Sequence, residues 1–380
     1  MRFVTLYLKT ENVHLLKDVG MIPYYMMKEH GAESTVVTYD NGGEYSYIDN
    51  EVRGLGLEFV RRSRFGRIVD GMLYLMRNAG KIDVLNIYHL NLSSYFYEIV
   101  YRMFNRRGVI YLKLDMNPAG FITCFKKNPV GMIKRATIRR ADLASVETTA
   151  MRKKLRKFFG EKIIYIPNGC YRDTDTGTES TPADGTVREA FHKENVILTV
   201  GNLGTFDKAT EVLLEAYKRY MERVGEDAYK LRLVGSIEDD FRKHIDEFFG
   251  TDDKLRDKVV FTGPVSDKRL LNEEYERARI FTLPSRSESF GIVLVEAALK
   301  GCYLVTSDMV PAGDDVSHRY ENGMSVPAGD PEALCNAFTE LTKRDMDWEG
   351  IAKKTAAYVK AAFDWSRIVG HLNDELNIVM

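Results

Sequence analysis

The sequence has few of the residues and patterns that mark disulfide-stabilised, secreted or membrane-spanning proteins. No apolar run approaches the length that crosses a bilayer, and the first residues lead directly into a predicted strand, so we expect no secretory leader. Cysteines are scarce and lack paired spacing, which favours reduced thiols over disulfides or zinc ligation. The four are Cys124, Cys170, Cys302 and Cys335. Together these absences indicate a cytoplasmic protein.

The chain as a whole also has no excess of positive or negative charge. The net charge is −1 and 44% of the residues are hydrophobic, which is typical of a folded globular protein and gives no sign of a nucleic-acid partner. Within residues 102–162, however, basic side chains greatly outnumber acidic ones. Residues 125–135 interleave lysine and arginine with apolar residues. This pattern predicts peripheral contact with an anionic membrane, at the inner face of the plasma membrane, or with a lipid diphosphate, although solvated helix faces often have the same composition.

Strand-like and helix-like segments alternate along the chain, which predicts parallel sheets built from βαβ units. The fold class is therefore α/β. A chain of 380 residues exceeds one core, so we expect two doubly wound Rossmann-like domains facing across a cleft at the carboxyl ends of their strands. The predicted first-half strands are residues 3–8, 34–39, 84–88, 109–114, 143–146 and 163–166, and the helices include residues 22–29, 68–77 and 150–159.

Turn-forming residues divide these two domains. The polar stretch at residues 173–182 predicts a linker. We therefore assign residues 1–185 to a first domain that includes the linker, and residues 186–362 to a second domain. Residues 363–380 are predicted to form a last helix, since Asp364 or Ser366 can cap it.

The most informative motif is Pro-Ser-Arg-Ser-Glu-Ser-Phe-Gly at residues 284–291, which joins a predicted buried strand to a predicted helix over residues 292–300. Glu288 precedes the helix and Glu296 lies within it. Ser289, Phe290 and Gly291 are expected to supply unpaired first-turn N–H groups, which attract phosphate at the positive end of the helix dipole. The motif could therefore hold a phosphate between the two glutamates, with one glutamate accepting from sugar hydroxyls and the other from a ribose. The alternative is that Glu288 is a solvated loop carboxylate.

This motif resembles the paired-glutamate signature of the retaining family 4 glycosyltransferases, which have the GT-B fold. The likeness extends to residues 200–208, which resemble the family's phosphate loop. There Lys208 falls on the family's lysine, Gly201 is expected to let the backbone approach a diphosphate, and Asn202 replaces the usual arginine. The resemblance covers residues 195–340 and implies that Lys208 binds phosphate, Glu288 binds the donor sugar and Glu296 binds the ribose.

Further site residues follow from the same resemblance. Pro264 and Val265 match the loop beside the nucleotide base, and a plain turn is equally compatible with them. Gly20 is placed before the helix at residue 22, where the family's first domain approaches the diphosphate. His89 resembles the acceptor-side histidine but could be structural, and Asp115 could orient an acceptor hydroxyl or cap the next turn.

The resemblance implies a retaining, hexosyltransferase-type enzyme. It would move a sugar from a nucleotide diphosphate, most often UDP, to a hydroxyl of a cell-surface polysaccharide or lipid-linked glycan. No cofactor and no metal ion are expected, because cations and helix amides would meet the diphosphate. Two alternatives stay open: a non-catalytic GT-B partner subunit, and another GT-B enzyme such as a nucleotide-sugar epimerase.

Overall fold

The chain forms two compact units of α/β structure. The computed structural model describes residues 1–170 and 192–380. One unit comprises the N-terminal part of the chain and Phe363–Met380, and the other ends at Ala362. Both sheets are wholly parallel, so the predicted α/β class is confirmed. The predicted linker at residues 173–182 lies outside the described residues.

The first unit is built on seven parallel strands. They are β1 (Arg2–Leu6), β2 (Glu33–Thr38), β3 (Gly56–Phe59), β4 (Val84–Tyr88), β5 (Val109–Leu114), β6 (Leu143–Val146) and β7 (Ile163–Tyr165). Their order in the sheet is β3-β2-β1-β4-β5-β6-β7. The sequence predicted six of them within two residues and missed β3. That edge strand is short and only partly buried, so it lacks the continuous apolar run of a central strand.

Helices follow the strands of this unit. They are α1 (Asp18–His30), α2 (Ser46–Asn50), α3 (Arg67–Asn78), α4 (Leu92–Phe104), α5 (Pro118–Phe125), α6 (Pro129–Arg140) and α7 (Thr149–Phe159). Asparagine side chains cap three of them: Asn91, Asn117 and Asn128 each accept a hydrogen bond from a first-turn N–H. Proline occupies the first position of α5 and α6, where its missing N–H costs nothing.

The second unit has six parallel strands. They are β8 (Glu194–Val200), β9 (Lys230–Val234), β10 (Val259–Gly263), β11 (Ala278–Leu283), β12 (Tyr303–Ser307) and β13 (Gly323–Val326). The sheet order is β10-β9-β8-β11-β12-β13. β8 and β11 are therefore hydrogen-bonded neighbours although they are far apart in sequence. Because both strands run in the same direction, the loops that follow them meet at one edge of the sheet.

In the described part of this unit, eight helices surround the second sheet. They are α8 (Thr210–Val224), α9 (Arg242–Phe249), α10 (Asp253–Lys258), α11 (Lys268–Arg277), α12 (Ile292–Leu299), α13 (Gly313–Val316), α14 (Pro331–Lys343) and α15 (Trp348–Ala362). The apolar faces of α8 and α14 pack with the sheet around Tyr217, Tyr220 and Phe338, all fully buried.

The last helix, α16 (Trp365–Val379), belongs to the first unit and packs against α1. Asp364 caps α16 by accepting a hydrogen bond from the Arg367 N–H. Ser366 donates to Glu29 of α1 at 2.6 Å. Trp365 is 2% exposed and lies against Gly169, where a Cβ atom would come within 2.7 Å of the indole. Burial of this aromatic side chain fastens the end of the chain to the first unit.

All four cysteine side chains are buried, and none forms a disulfide. Burial raises the pKa of the Cys302 thiol above its usual value, although the nearby Lys193 ammonium opposes this effect. Such thiols are poor nucleophiles, so the cysteines serve as small core residues.

A buried carboxylate couples α4 to α6. Glu98 of α4 is 0% exposed, and its nearest cation is the Nε atom of Arg140 at 3.4 Å. Burial outweighs the attraction of this arginine and raises the pKa of Glu98 to about 8. The folded protein therefore holds this proton more tightly than the unfolded chain does.

We predict that this group makes stability fall as the pH rises. Its contribution is complete below the unfolded pKa near 4.5 and is lost as the pH approaches 8. Between those values the Glu98→Gln variant should lack a slope of up to about 1.4 kcal/mol per pH unit that the parent shows. Urea titrations at several pH values measure this difference. The exposed Glu44→Gln variant is the control, and parallel curves for Glu98→Gln and the parent would contradict the assignment.

Candidate functional site

Two loops define the site in the second unit. Residues 201–209 follow β8, and residues 284–291 follow β11. Because β8 and β11 are neighbours, the glycine-containing loop and the Pro-Ser-Arg-Ser-Glu motif are brought together although they are about eighty positions apart.

Lys208 and Glu288 form an ion pair across these loops. Their side chains are 29% and 12% exposed, and the Ser285 hydroxyl also donates to the Glu288 carboxylate at 3.2 Å. The sequence argument gave Lys208 a bound phosphate as its counterion. In the structure Glu288 already provides one, so the lysine charge does not by itself require a ligand. The two predicted catalytic residues of this unit are nevertheless in direct contact.

Arg286 also joins the two loops, and the sequence analysis missed it. Its N–H donates to the Asp207 carbonyl at 2.7 Å, and its guanidinium bonds the Phe206 carbonyl at 3.0 Å. The same guanidinium pairs with Glu211 of α8 at 2.5 Å. The position of this arginine inside the signature could have marked it as a candidate. Its partners could not be inferred, because the order of the strands in the sheet was not known from the sequence.

The loop after β8 packs tightly against the end of β9. Gly201 donates to the Val234 carbonyl at 3.0 Å, and the Asn202 side chain accepts from Ser236 at 2.9 Å. A Cβ atom on Gly235 would lie 1.8 Å from the Gly201 carbonyl oxygen. Gly204, at a φ of 92°, has a similar constraint, because its Cβ atom would overlap the Phe241 ring. These glycines permit close backbone packing, independently of any ligand.

Glu296 lies within α12, as predicted, and is partly buried. The Tyr275 hydroxyl of α11 donates to its carboxylate at 2.8 Å. The protein therefore supplies one donor to this carboxylate, and ribose binding by Glu296 stays a prediction. Tyr275 could not be found from sequence, since nothing in the spacing of α11 distinguishes it from a core tyrosine.

The start of α12 differs from the prediction. Gly291 adopts a φ of 84° and is the N-cap, so the helix begins at Ile292. Ser289, Phe290 and Gly291 therefore precede the helix and do not form its first turn. Phe290 is 2% exposed and serves the core. Amide groups at the start of α12 still face the end of the signature loop, but they begin one residue beyond the predicted set.

Pro264 and Val265 follow β10, the edge strand of this sheet. Among the described residues, neither side chain has a hydrogen bond or ion pair, and β9 separates their strand from β8. Beside them, the Gly235 N–H donates to the Gly263 carbonyl at 3.0 Å and the Thr262 hydroxyl donates to the Leu233 carbonyl at 3.3 Å. Their predicted place beside a nucleotide base stays a prediction.

In the first unit, His89 lies directly after β4 with a φ of 64°, a left-handed conformation that is unusual for a residue other than glycine. It lines a cavity of about 80 Å³ at the carboxyl ends of β1 and β4. Arg67, Asn91 and Ser93 also line that cavity. The predicted histidine thus lies in a concave polar site within its own unit.

Asp115 is exposed at the end of β5, beside a buried charged network. Lys113 is 0% exposed, and its ammonium lies 3.3 Å from Glu147 and 3.7 Å from Asp18. Asn168 donates to Glu147 at 2.5 Å. Burial raises the pKa of Glu147, with further contributions from Asp115 and Asp18, against the lowering effect of Lys113. Sequence spacing gave no signal for this network, because its members come from different elements.

Gly20 is not in a loop before the helix. It is the third residue of α1, which begins at Asp18. A Cβ atom on Gly20 would lie 2.2 Å from the Leu15 carbonyl oxygen, so the glycine permits close packing of the preceding turn. Asp18 supplies a carboxylate at this helix start and accepts from the Val19 N–H, which makes the position less favourable for a phosphate. The predicted location of Gly20 was therefore wrong.

The second-unit site can meet a diphosphate with one ammonium group and the amides at the start of α12. Carboxylates on either side of those amides, Glu288 and Glu296, can accept hydrogen bonds from hydroxyl groups. Within residues 1–170 and 192–380, no cluster of three or more histidine, cysteine or acidic residues could hold a metal ion.

Comparison with known proteins finds similarity to glycosyltransferases. Residues 194–344 match the model of the glycosyl transferases group 1. An uncharacterized glycosyltransferase of Methanocaldococcus jannaschii is 28% identical over 45% of this chain, and the match spans about half of that relative, 46% of its length. The phosphatidyl-myo-inositol mannosyltransferase of Mycobacterium tuberculosis is 25% identical over 82% of this chain and 78% of its own.

The fold has clear precedents among solved structures. The structure of Anabaena HepE in complex with UDP aligns with this chain over the full length of both proteins, with a TM-score of 0.73 and 16% sequence identity. At that identity the likeness establishes the fold, and the family match independently includes Lys208, Glu288 and Glu296. The chain therefore has the GT-B fold, and its residues 194–344 are similar to the glycosyl transferases group 1.

Proposed function

We propose that this protein is a retaining glycosyltransferase that moves a sugar from a UDP-linked donor to a hydroxyl group of a lipid-linked or polysaccharide acceptor. The observation that carries the proposal is the pairing of Lys208 with Glu288 at the carboxyl ends of β8 and β11. UDP is proposed as the nucleotide because it is bound in the solved structure of Anabaena HepE. A lipid acceptor is proposed because the mycobacterial relative is a phosphatidyl-myo-inositol mannosyltransferase.

In this proposal the donor lies on the second unit. Lys208 and the amides of α12 hold the diphosphate, Glu296 accepts from the ribose, and Glu288 accepts from the sugar hydroxyls. Tyr275 fixes the orientation of the Glu296 carboxylate through its hydrogen bond. No metal ion is required, because fixed positive charge meets the negative charge that grows as the sugar–phosphate bond breaks.

The acceptor is proposed to bind at the carboxyl edge of the first unit. His89 lines a polar cavity there, and Asp115 lies at the end of the adjacent strand β5. The departing phosphate would take the acceptor proton as the new bond forms on the same face of the sugar. Catalysis is then mainly leaving-group stabilisation and positioning. The anomeric configuration of the product, measured by NMR, distinguishes retention from inversion.

A non-catalytic partner subunit is the second candidate, and Asn202 is the observation that favours it. Its side chain accepts a hydrogen bond from Ser236, at the position where family members have an arginine. The phosphate loop then has one cation fewer than is usual. Release of free UDP that depends on an acceptor separates an enzyme from a binding subunit.

We predict that Lys208→Ala and Glu288→Gln reduce turnover far more than folding. Loss of one preorganised contact to developing charge typically lowers kcat by about 10²- to 10³-fold. Glu296→Gln should instead raise KM and weaken UDP binding, because the ribose is unchanged during the reaction. Steady-state assays in excess EDTA, calorimetry with UDP and melting curves measure these effects.

Lys218→Ala is the matched control for Lys208→Ala, because Lys218 is an exposed lysine of the same unit, on α8. It should leave kcat and KM unchanged. The site assignment is refuted if Lys208→Ala and Glu288→Gln fold normally and keep near-full turnover.

Peripheral membrane contact is a further part of the proposal. None of the helices in the described parts of the chain is long and apolar enough to span a membrane. The turn between α5 and α6 contains the exposed Lys126 and Lys127, and Met132 nearby on α6 is 63% exposed. Protruding apolar groups beside lysines are typical of surfaces that lie on anionic lipid.

Only some of the basic side chains within residues 126–140 are available to contact lipid. Lys134 donates to Thr123, Arg135 donates to the Cys124 carbonyl, and Arg140 lies over the Tyr95 ring. These three side chains stabilise the unit itself. Lys126, Lys127 and Arg139 are exposed, and they are therefore the proposed lipid contacts.

We predict that the triple variant Lys126→Glu, Lys127→Glu, Arg139→Glu releases the protein from vesicles that contain phosphatidylglycerol. Each basic side chain near such a surface contributes about 1 kcal/mol, so the loss should exceed about a hundredfold in the partition coefficient. Sedimentation with liposomes is the measurement. Lys81→Glu, Arg106→Glu, Arg107→Glu is the control with the same change in charge. Equal binding of the parent to neutral and anionic vesicles would refute the electrostatic mechanism.

A further inference from the structure

A second concave site of the first unit lies beside β3, the outermost strand on one side of its sheet. It is a groove of about 640 Å³ formed by the end of β3, the segment that follows it, and one face of α3. β3 is the edge strand, whereas α5 and α6 follow β5, so the groove is separate from the proposed membrane contact. Its lining residues belong to the first unit, whereas Lys208 and Glu288 belong to the second. A volume of this size is typical of ligand sites.

Four guanidinium groups line the groove: Arg61, Arg62, Arg64 and Arg77. All four residues are exposed. Arg62 donates to Asn41 at 3.0 Å and lies over the Tyr39 ring, and Arg64 lies over Phe65. In the described parts of the chain, Arg61 and Arg77 have no hydrogen-bond or ion-pair partner. Two arginines in the same groove are thus free to bind a ligand from solution.

The two carboxylates in the groove offset only part of this positive charge. The Tyr74 hydroxyl donates to Glu58 at 3.0 Å. Asp70 is 3% exposed, accepts from the Tyr39 hydroxyl at 2.6 Å and from the Ser63 N–H at 3.0 Å, and also interacts with the charge of Arg62. Both acids hold the groove walls in place, and four guanidinium groups against two carboxylates leave the groove with a net positive charge. Guanidinium groups match phosphate geometry by donating two parallel hydrogen bonds.

Apolar side chains lie among the charges. Phe59 is 50% exposed and Leu73 is 38% exposed, and both line the groove beside Tyr74. Aromatic and aliphatic groups pack against the C–H faces of sugar rings, whereas inorganic anions gain nothing from them. A concave wall also suits a discrete molecule better than a flat lipid surface.

We propose that this groove binds a phosphate-bearing saccharide, with Arg61 and Arg77 on the phosphate and Phe59 and Leu73 under a sugar ring. The site does not depend on sugar transfer by the second unit. Binding should weaken as salt concentration rises, because exposed charges are screened.

Calorimetry with a singly phosphorylated maltotetraose tests the proposal, with unphosphorylated maltotetraose as the matched ligand. We expect the phosphorylated probe alone to bind the parent protein measurably. Arg61→Gln, Arg77→Gln should weaken this binding about tenfold or more, since each charge-assisted hydrogen bond lost is a strong one. Neither arginine has a hydrogen-bond or ion-pair partner within residues 1–170 and 192–380, so the variant should fold normally, and a melting curve checks this.

Arg106→Gln, Arg107→Gln is the control, because these exposed arginines precede β5 and lie outside the groove. Unchanged affinity in the groove variant would overturn the proposal, as would equal binding of the two oligosaccharides. If Arg61 and Arg77 are needed for phosphatidylglycerol vesicles and not for the sugar phosphate, the groove is a membrane contact and the proposal is wrong. These titrations contain no sugar donor, so their outcome does not depend on transferase activity. A failure of the proposed transferase function would be seen in the kinetic assays instead.

Discussion

The ion pair between Lys208 and Glu288 is the interaction on which the proposed site depends. It exists because parallel order places β8 beside β11, so that two loops distant in sequence share one edge of the sheet. Arg286 reinforces the same junction through the Phe206 and Asp207 carbonyls. A ligand that carries phosphate therefore meets Lys208 beside the carboxylate that now pairs with it, so phosphate binding would have to replace Glu288 as the partner of the lysine.

The first unit has a comparable constraint at its own carboxyl edge. Lys113 is fully buried between Glu147 and Asp18, and its ammonium also donates to the Ile166 carbonyl at 3.1 Å. A buried cation without these partners would be strongly destabilising. The network therefore holds the start of α1 and the ends of β5, β6 and β7 in a fixed arrangement. Asp115 lies at the exposed margin of this arrangement, where an acceptor hydroxyl is proposed to bind.

The sequence predicted the features that depend on local pattern. Buried strands have continuous apolar runs, so six of the seven strands of the first sheet were found, and β3 was missed because it is a short, partly buried edge strand. The signature also predicted that Glu288 precedes a helix that contains Glu296. What it could not predict were contacts between separate elements: Tyr275 with Glu296, Arg286 with Glu211, and Lys113 with Glu147. Gly20 was misplaced because α1 begins at Asp18, four residues before its predicted start.

The central claim is that Lys208 exchanges Glu288 for the donor diphosphate, so that Glu288 is released toward the sugar. Calorimetry of UDP binding to Glu288→Gln tests this claim most directly. Removal of the competing carboxylate should free the lysine and lower the Kd for UDP by about two- to fivefold, since partly exposed ion pairs contribute up to about 1 kcal/mol. Weaker binding of UDP by a normally folded Glu288→Gln protein would mean that the carboxylate supports the lysine and does not compete for it, which contradicts the account.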